Sequence, residues 1–474
     1  MVFTSPTFLY AFLPLFLVAY FAMPGMVSRN AVFVVFSLLF YAWGEPVFVG
    51  VLLASIVVNW LVGMRLADLP AGRRRAVMAL GLVWNLGILA AAKYADFVLE
   101  SVGTLIGVDL PKTGWALPLG VSFFTFHAIS YLVDVYRGNV GAERSLLRLT
   151  LYITMFPQLV AGPIVRYRTI ARQLANRRAT LWRASTGTRI FVIGMAQKVL
   201  IANQLGLVAD VAFGLGDRLD TGEAWLGLAG YSLQIYYDFA GYSNMAIGLG
   251  FIVGLALPRN FDLPYTSQSI TEFWRRWHIS LSRWFRDYLY IPLGGNRRGP
   301  LRTYANLAIV FLLCGLWHGA SWNFVIWGAW YGLFLIVERA WLGGVLAGLP
   351  GPLRTAYALA VVMLGWVWFR AETLPRAMDY FAALAGRGGN GAVDAELAGL
   401  VTGYTAMVFA VAVILALTPR RVWRRVRRAS LPAAESGAGA VARLAANTVW
   451  ATLLGVSMAG IAGSGYNPFL YFRF

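Results

Sequence analysis

An all-α, polytopic membrane bundle with roughly 11–14 membrane-embedded helices is the fold class this sequence predicts, since about 20 apolar residues span a bilayer as a helix. Three observations carry it. Of 474 residues, 59% are hydrophobic and only 13% charged, against about 45–50% and about 25% in a soluble chain. The apolar residues fall in continuous runs rather than in the alternation of a membrane β-barrel. Basic residues gather in short segments between the runs, as they do in cytoplasmic loops. That distribution accounts for 40 basic against 21 acidic side chains, a net +19, with a lipid bilayer as partner and no nucleic acid.

The runs follow in order. The first, residues 8–23, has no basic residue before it and no small-residue cleavage site, so it reads as a retained span rather than a signal peptide. Spans are expected near 5–24, 31–44, 46–66, 76–93, 116–136, 148–165, 187–206, 223–240, 243–257, 304–317, 320–342, 355–370, 400–418 and 445–463. Runs 31–44 and 304–317 are short for a crossing and read as half-helices or buried segments. Basic segments at 73–75, 166–183, 275–302 and 420–428 are cytoplasmic candidates. The Gly/Ala-rich stretch 386–398 reads as a loop and 430–439 as a short linker. Residues 1–474 read as one domain, without the repeat of a two-halved transporter. The single cysteine, Cys314, excludes an internal disulfide.

Residues 267–300, SQSITEFWRRWHISLSRWFRDYLYIPLGGNRRGP, break the apolar pattern. Ser269 or Thr271 is placed to cap a helix, with Glu272 in its first turn. At helical spacing Trp274, Trp277, Leu281, Trp284 and Tyr288 form one aromatic stripe, and Arg275, Arg276, Arg283 and Arg286 fill much of the rest. Such a helix suits a membrane interface, with rings at headgroup depth and snorkelling arginines. The alternative is the frame of a polar substrate entrance.

Only three histidines are present. An ionisable group among apolar spans faces the bundle interior or a water-filled cavity, and imidazole suits proton transfer near neutral pH. His318, in LWHGAS, is the strongest candidate for such chemistry, with a packed, carbonyl-bonded histidine as the equal alternative. His278 is a candidate second member of a pair. His127, in SFFTFHAIS, fits a structural role better. Asp238 is the most notable carboxylate in an apolar setting, either bonded into the core or facing a cavity, whereas Asp134 and Glu338 near span ends read as interfacial. The histidine spacing gives no metal motif, and neither a nucleophile elbow nor a Walker A loop occurs.

Several blocks together resemble the membrane-bound O-acyltransferase superfamily, and within it the bacterial alginate O-acetyltransferase branch. They are PLGVSFFTFHAISYLVDVYRG, FPQLVAGPIVRY, YYDFAGYSNMAIGLG, WRRWHISLSRWFRDYLYIPLGG, LWHGASWNFVIWG and the closing NPFLYFRF. The resemblance implies a helical bundle around a central funnel, in a bacterial inner membrane. It maps the family histidines onto His318 and His278 and implies acetyl transfer with no permanently bound cofactor. Acetyl-CoA would be the donor, and a periplasmic SGNH-type acetyltransferase would complete transfer to a secreted polysaccharide. Alginate is the nearest acceptor by this resemblance, with cellulose or peptidoglycan as alternatives. His318 is then the expected general base, and His278 orients the thioester or protonates the departing thiolate. Trp317 and its neighbours exclude water, and Arg275, Arg276, Arg283 and Arg286 are expected on the CoA phosphates. Asn244 and Gln158 depart from the Asp and His common at those family positions. A transporter or a non-catalytic scaffold of an export complex competes: few intramembrane carboxylates and no visible repeat argue against the first, and the second gives His318 no task.

Overall fold

The computed structural model describes residues 1–115, 118–389, 391, 393–429, 438–463 and 465–468. Residues 430–437 of the expected linker and the last six of the NPFLYFRF tail lie outside the described residues. In chain order the principal helices are α1 (Leu13–Ala22), α2 (Met26–Ala42), α3 (Val49–Asp68), α4 (Ala71–Ile106), α5 (Val121–Tyr136) and α6 (Leu146–Thr154). There follow α7 (Leu181–Ala196), α8 (Asn203–Gly214), α9 (Thr221–Ile252), α10 (Ile270–Arg276), α11 (Ile279–Phe285) and α12 (Gly299–His318). The chain closes with α13 (Trp322–Val337), α14 (Gly351–Arg370), α15 (Leu374–Leu384), α16 (Gly403–Leu417), α17 (Arg420–Ala429) and α18 (Ala438–Gly463). Among the described residues six helices are long and apolar enough to cross a membrane, and four shorter apolar helices accompany them. The chain is an all-α polytopic membrane bundle.

The span expected near 148–165 is broken, helical only over Leu146–Thr154 and Phe156–Leu159, and two further differences follow. The spans expected at 223–240 and 243–257 are one helix, α9, which ends at Ile252, rather than two. Asp220 starts it by accepting from the Gly222 amide at 3.0 Å, and the GYSN stretch does not end it. Gly241 there serves close approach: a Cβ on it would meet the Gly194 carbonyl oxygen at 2.6 Å, and Gly248 meets Gly187 in the same way at 2.5 Å. These small residues let α7 and α9 touch backbone to backbone, as membrane helices do when packing rather than water drives association. Gly194→Val should therefore separate the two helices and destabilise the fold by about 1–3 kcal/mol. Thermal unfolding in detergent checks this, and an unchanged midpoint would show the pair to be loose. The second difference is α12, a full 20 residues rather than a half-helix. Its polar first turn, led by Pro300, hides the start from an apolar window.

Hydrogen bonds tie the basic segments together at one end of the bundle. Arg74 donates to the carbonyls of Val135 and Tyr136 at 3.2 and 3.1 Å, and Arg137 to that of Asp287 at 2.9 Å. Arg166 and Arg168 reach the Asp287 carboxylate, and Arg183 donates to the Gly254 carbonyl at 2.9 Å. Deeper in, Asn59 on α3 and Asn85 on α4 exchange amide hydrogen bonds of 3.0 and 2.8 Å, which satisfies two polar groups that apolar surroundings would penalise. The loop 386–398 turns on Gly386 and Gly389, at φ +82° and +72°, and runs into a short helix, Ala395–Leu400.

Candidate functional site

The aromatic-basic segment is not one helix. It breaks at His278, which adopts a left-handed backbone with φ 42°, an uncommon conformation for a non-glycine residue. Asn260 holds the break. Its carbonyl accepts from the Ile279 amide at 2.9 Å, and its side-chain oxygen accepts from the Ser280 amide and hydroxyl at 3.2 and 2.9 Å. The orphan donors of the first turn of α11 are thus met by another segment. On the other side, the Asp262 amide donates to the Arg276 carbonyl at 2.9 Å.

Both outer ends of the broken segment are anchored. Ser269 caps α10 through the Glu272 amide at 3.0 Å. Glu338, at the end of α13, accepts from the amides of Ile270 and Thr271 at 2.5 and 2.9 Å and from the Thr271 hydroxyl at 2.7 Å. A carboxylate at a helix N-terminus is favoured by both hydrogen bonding and the helix dipole. Beyond α11, Asp287 gathers Arg166, Arg168 and Arg286. Burial pushes its carboxyl up, but these three guanidiniums together outweigh burial and hold it below the usual carboxylate range.

His318 is the last residue of α12. The side-chain amine of Lys93, on α4, donates to the Trp317 and His318 carbonyls at 2.6 and 3.1 Å. Tyr94 adds a bond to the Leu316 carbonyl at 2.8 Å. Three carbonyls at the helix end are met by one neighbouring turn, and this fixes where His318 stands.

The two histidines are brought together around Trp317. Its ring centroid lies 6.1 Å from that of His278 and 4.8 Å from that of His318, and His318 is within electrostatic reach of His278 and Lys93. Trp327 and Phe369 wall His318 at 4.9 and 5.2 Å. Phe239 meets His278 edge-on at 4.6 Å. Phe126 stacks on Trp317 at 5.3 Å and on Trp284 at 3.7 Å. His278 and His318 are only 1% and 6% exposed. Both ring nitrogens of His278, Nδ1 of His318 and Nε1 of Trp317 are buried without a hydrogen-bond partner among the described residues. Buried polar atoms are nearly always paired, so these orphans can meet polar atoms of a substrate, as can both ring nitrogens of His127, which are buried without a partner among the described residues in the same way.

The other expected residues distribute differently. Arg275, Arg283 and Arg286 line a cavity of about 540 Å³ that has Cys314 in its wall. Arg276 is occupied elsewhere, donating to the Thr266 hydroxyl at 2.7 Å and pairing with Glu272. Asp238 is bonded into the core by an ion pair with Lys198 at 2.7 Å. The ring of His127 packs on Tyr152 at 5.5 Å, while its neighbour Phe126 faces the Trp317 cluster. The aromatic stripe is core rather than an interfacial anchor: Trp274, Trp277 and Trp284 are 7%, 4% and 6% exposed and divide among different neighbours, because the break at His278 splits their common face. Asp134 and Glu338 lie at helix ends, as expected, and are buried within the protein, and Asp134 accepts from the Tyr288 hydroxyl at 2.8 Å.

Lys93 and Asn260 were not picked out from the sequence, and Glu338 was read there only as an interfacial carboxylate. Only Lys93 carries a usable signal, as a cation closing the apolar run near 76–93.

Residues 140–372 match the model of the membrane-bound O-acyltransferase family. The chain is 40% identical to a probable alginate O-acetylase AlgI of Azotobacter vinelandii, with 100% of both chains covered. It is 35% identical to a peptidoglycan O-acetyltransferase of Helicobacter pylori over 82% of this chain and 80% of that protein. A teichoic acid D-alanyltransferase of Bacillus subtilis is 31% identical over 46% of this chain and 58% of that one. Both candidate histidines fall within the residues that match the family model.

Proposed function

This chain belongs to the membrane-bound O-acyltransferase family, in its alginate O-acetylase branch, and we propose that it moves an acetyl group from acetyl-CoA to a hydroxyl acceptor for O-acetylation of a secreted polysaccharide, alginate or one like it. The observation that carries this reading is the buried pair His278 and His318 on either side of Trp317. A thioester already stores the activation the transfer needs, so the protein has to supply position, a base and a dry site.

In this reading the acceptor oxygen attacks the thioester carbonyl as its O–H proton passes to His318. The C–O bond forms, the C–S bond breaks, and the sulfur leaves as the thiol with a proton delivered through His278. The proton His318 takes from the acceptor is passed on to replace the one His278 gives to sulfur, so both imidazoles end the turnover neutral. Trp317, Trp327, Phe369 and Phe239 exclude water, which would otherwise take the acetyl group. The end of the bundle where the basic segments meet is cytoplasmic by the positive-inside rule, and the donor enters there from the cytoplasm of a bacterial cell with the chain in its inner membrane. A periplasmic SGNH-type partner completes transfer to the polymer. A second reading, peptidoglycan as acceptor, draws on the named activity of the Helicobacter pylori relative.

Proteoliposomes supplied with acetyl-CoA, the host's extracellular glycan and periplasmic extract test this. Thiol release with acetyl ester on the glycan is the expected result. Glycan movement without either product would replace the enzyme with a transporter.

A further inference from the structure

Two cavities lie outside the histidine pair, lined by neither imidazole, and their chemistry differs. The one bearing Arg275, Arg283 and Arg286 is otherwise walled by apolar side chains such as Leu281, Phe285, Leu307 and Val310. The other, of about 770 Å³, is lined by Arg259, Arg420 and Arg424 together with the amides of Gln197 and Asn244. Tyr236, Phe261 and Trp423 give it aromatic surfaces. No sequence motif joins these residues. Arg259 follows α9, whereas Arg420 and Arg424 come from α17.

The cluster carries excess positive charge. Asp262 is the carboxylate in the lining, and it pairs with both Arg259 and Arg420, while Arg424 has no ion pair among the described residues. Burial pushes the Arg420 guanidinium down, and its closeness to Arg259 and Arg424 pushes it further. A phosphate would relieve that repulsion, and planar guanidinium forks match its geometry. The cavity's wall packs towards the reacting groups. Phe261 in its wall meets Phe239 edge-on at 4.9 Å, and Phe239 meets His278 edge-on at 4.6 Å. One ring therefore separates this cavity's wall from the histidine expected to orient the thioester.

We propose that this cavity receives the phosphorylated nucleotide end of the acyl donor, with Arg259, Arg420 and Arg424 on its phosphates and an aromatic side chain against its base. This rests on the thioester-donor reading above, and it moves the donor's phosphates away from Arg275, Arg276, Arg283 and Arg286. A lipid headgroup phosphate shares the same chemistry, so the test has to separate the two sources.

Acetyl-CoA and acetyl-pantetheine carry the same thioester, but only the first carries the nucleotide. The wild-type protein is expected to favour acetyl-CoA in kcat/KM, and adenosine 3′,5′-bisphosphate is expected to compete with it. Arg424→Gln and Arg420→Gln should each lower the acetyl-CoA to acetyl-pantetheine ratio about ten-fold, through KM, as one charge-assisted hydrogen bond is lost. Taking the ratio on one preparation cancels partial misfolding, and Arg424→Gln breaks no ion pair seen among the described residues. An unchanged ratio overturns the assignment, as does a wild type that uses both donors equally. Vesicles of phosphatidylethanolamine with and without phosphatidylglycerol supply the lipid arm. If the variants change only the dependence on phosphatidylglycerol, the cluster holds headgroups and the proposal fails. Failure of the wild type to release thiol from either donor would instead overturn the acyl-transfer reading beneath it.

Discussion

Replacing His318 by glutamine is expected to lower acyl transfer by about 10²–10⁴-fold, the usual contribution of a positioned general base. The fold should remain, because the side chain's role in packing is modest. Its ring touches Trp317, Trp327 and Phe369, and its Nδ1 has no hydrogen-bond partner among the described residues whose loss would be felt. Glutamine keeps a polar, planar end in that space and cannot act as a base near neutral pH. Thiol release in proteoliposomes gives the rate, and the thermal midpoint of the same preparation gives the fold. A variant that turns over like the wild type would move the base elsewhere, with His278 next in line. A variant that unfolds would assign His318 to structure.

How much of this was legible in the sequence differs between the frame and the site. Apolar runs report spans directly, since the bilayer demands length and composition, and the long helices fell where the runs lay. The break expected between 240 and 243, where Gly241 lies, does not occur. In a linear sequence a glycine marks a break or a close approach, and only the neighbouring Gly194 decides which. The break at His278 was hidden for the opposite reason. Nothing in WRRWHISLS announces a left-handed residue, because its cost is offset by Asn260, a partner outside the segment. The two histidines stood out as rare ionisable residues in an apolar chain, but their meeting across Trp317 required the fold. Glu338 sat at a span end, where a carboxylate is unremarkable, yet it anchors the helix that leads to His278. The arginines show the limit most clearly. Four in one segment suggested one site, whereas the structure turns Arg276 towards Glu272 and Thr266 and assembles a second cluster from distant residues.

The side chain of Lys93 should matter to catalysis almost as much as the imidazole it helps to position. Lys93→Met is expected to lower kcat by about 10–100-fold, because a misplacement of about 1 Å at a reacting group can cost 10²-fold. The lysine meets the carbonyls of Trp317 and His318, two of the groups a helix end leaves without partners. Without it those carbonyls face apolar surroundings, at about 1–3 kcal/mol for a buried unsatisfied group, and the last turn of α12 can relieve that only by moving. The residue that moves is His318. Because Lys93 acts through another group, KM for acetyl-CoA should stay within about two-fold while kcat falls, and Lys93→Arg should recover part of the rate by donating to the same carbonyls. Loss of rate with a matching rise in KM would place Lys93 on the donor itself. Equal loss in the methionine and arginine variants, with a lowered thermal midpoint, would make it a support of the fold alone. The expected pattern, kcat lost and partly restored by arginine, distinguishes a residue that sets the position of the base from both of these.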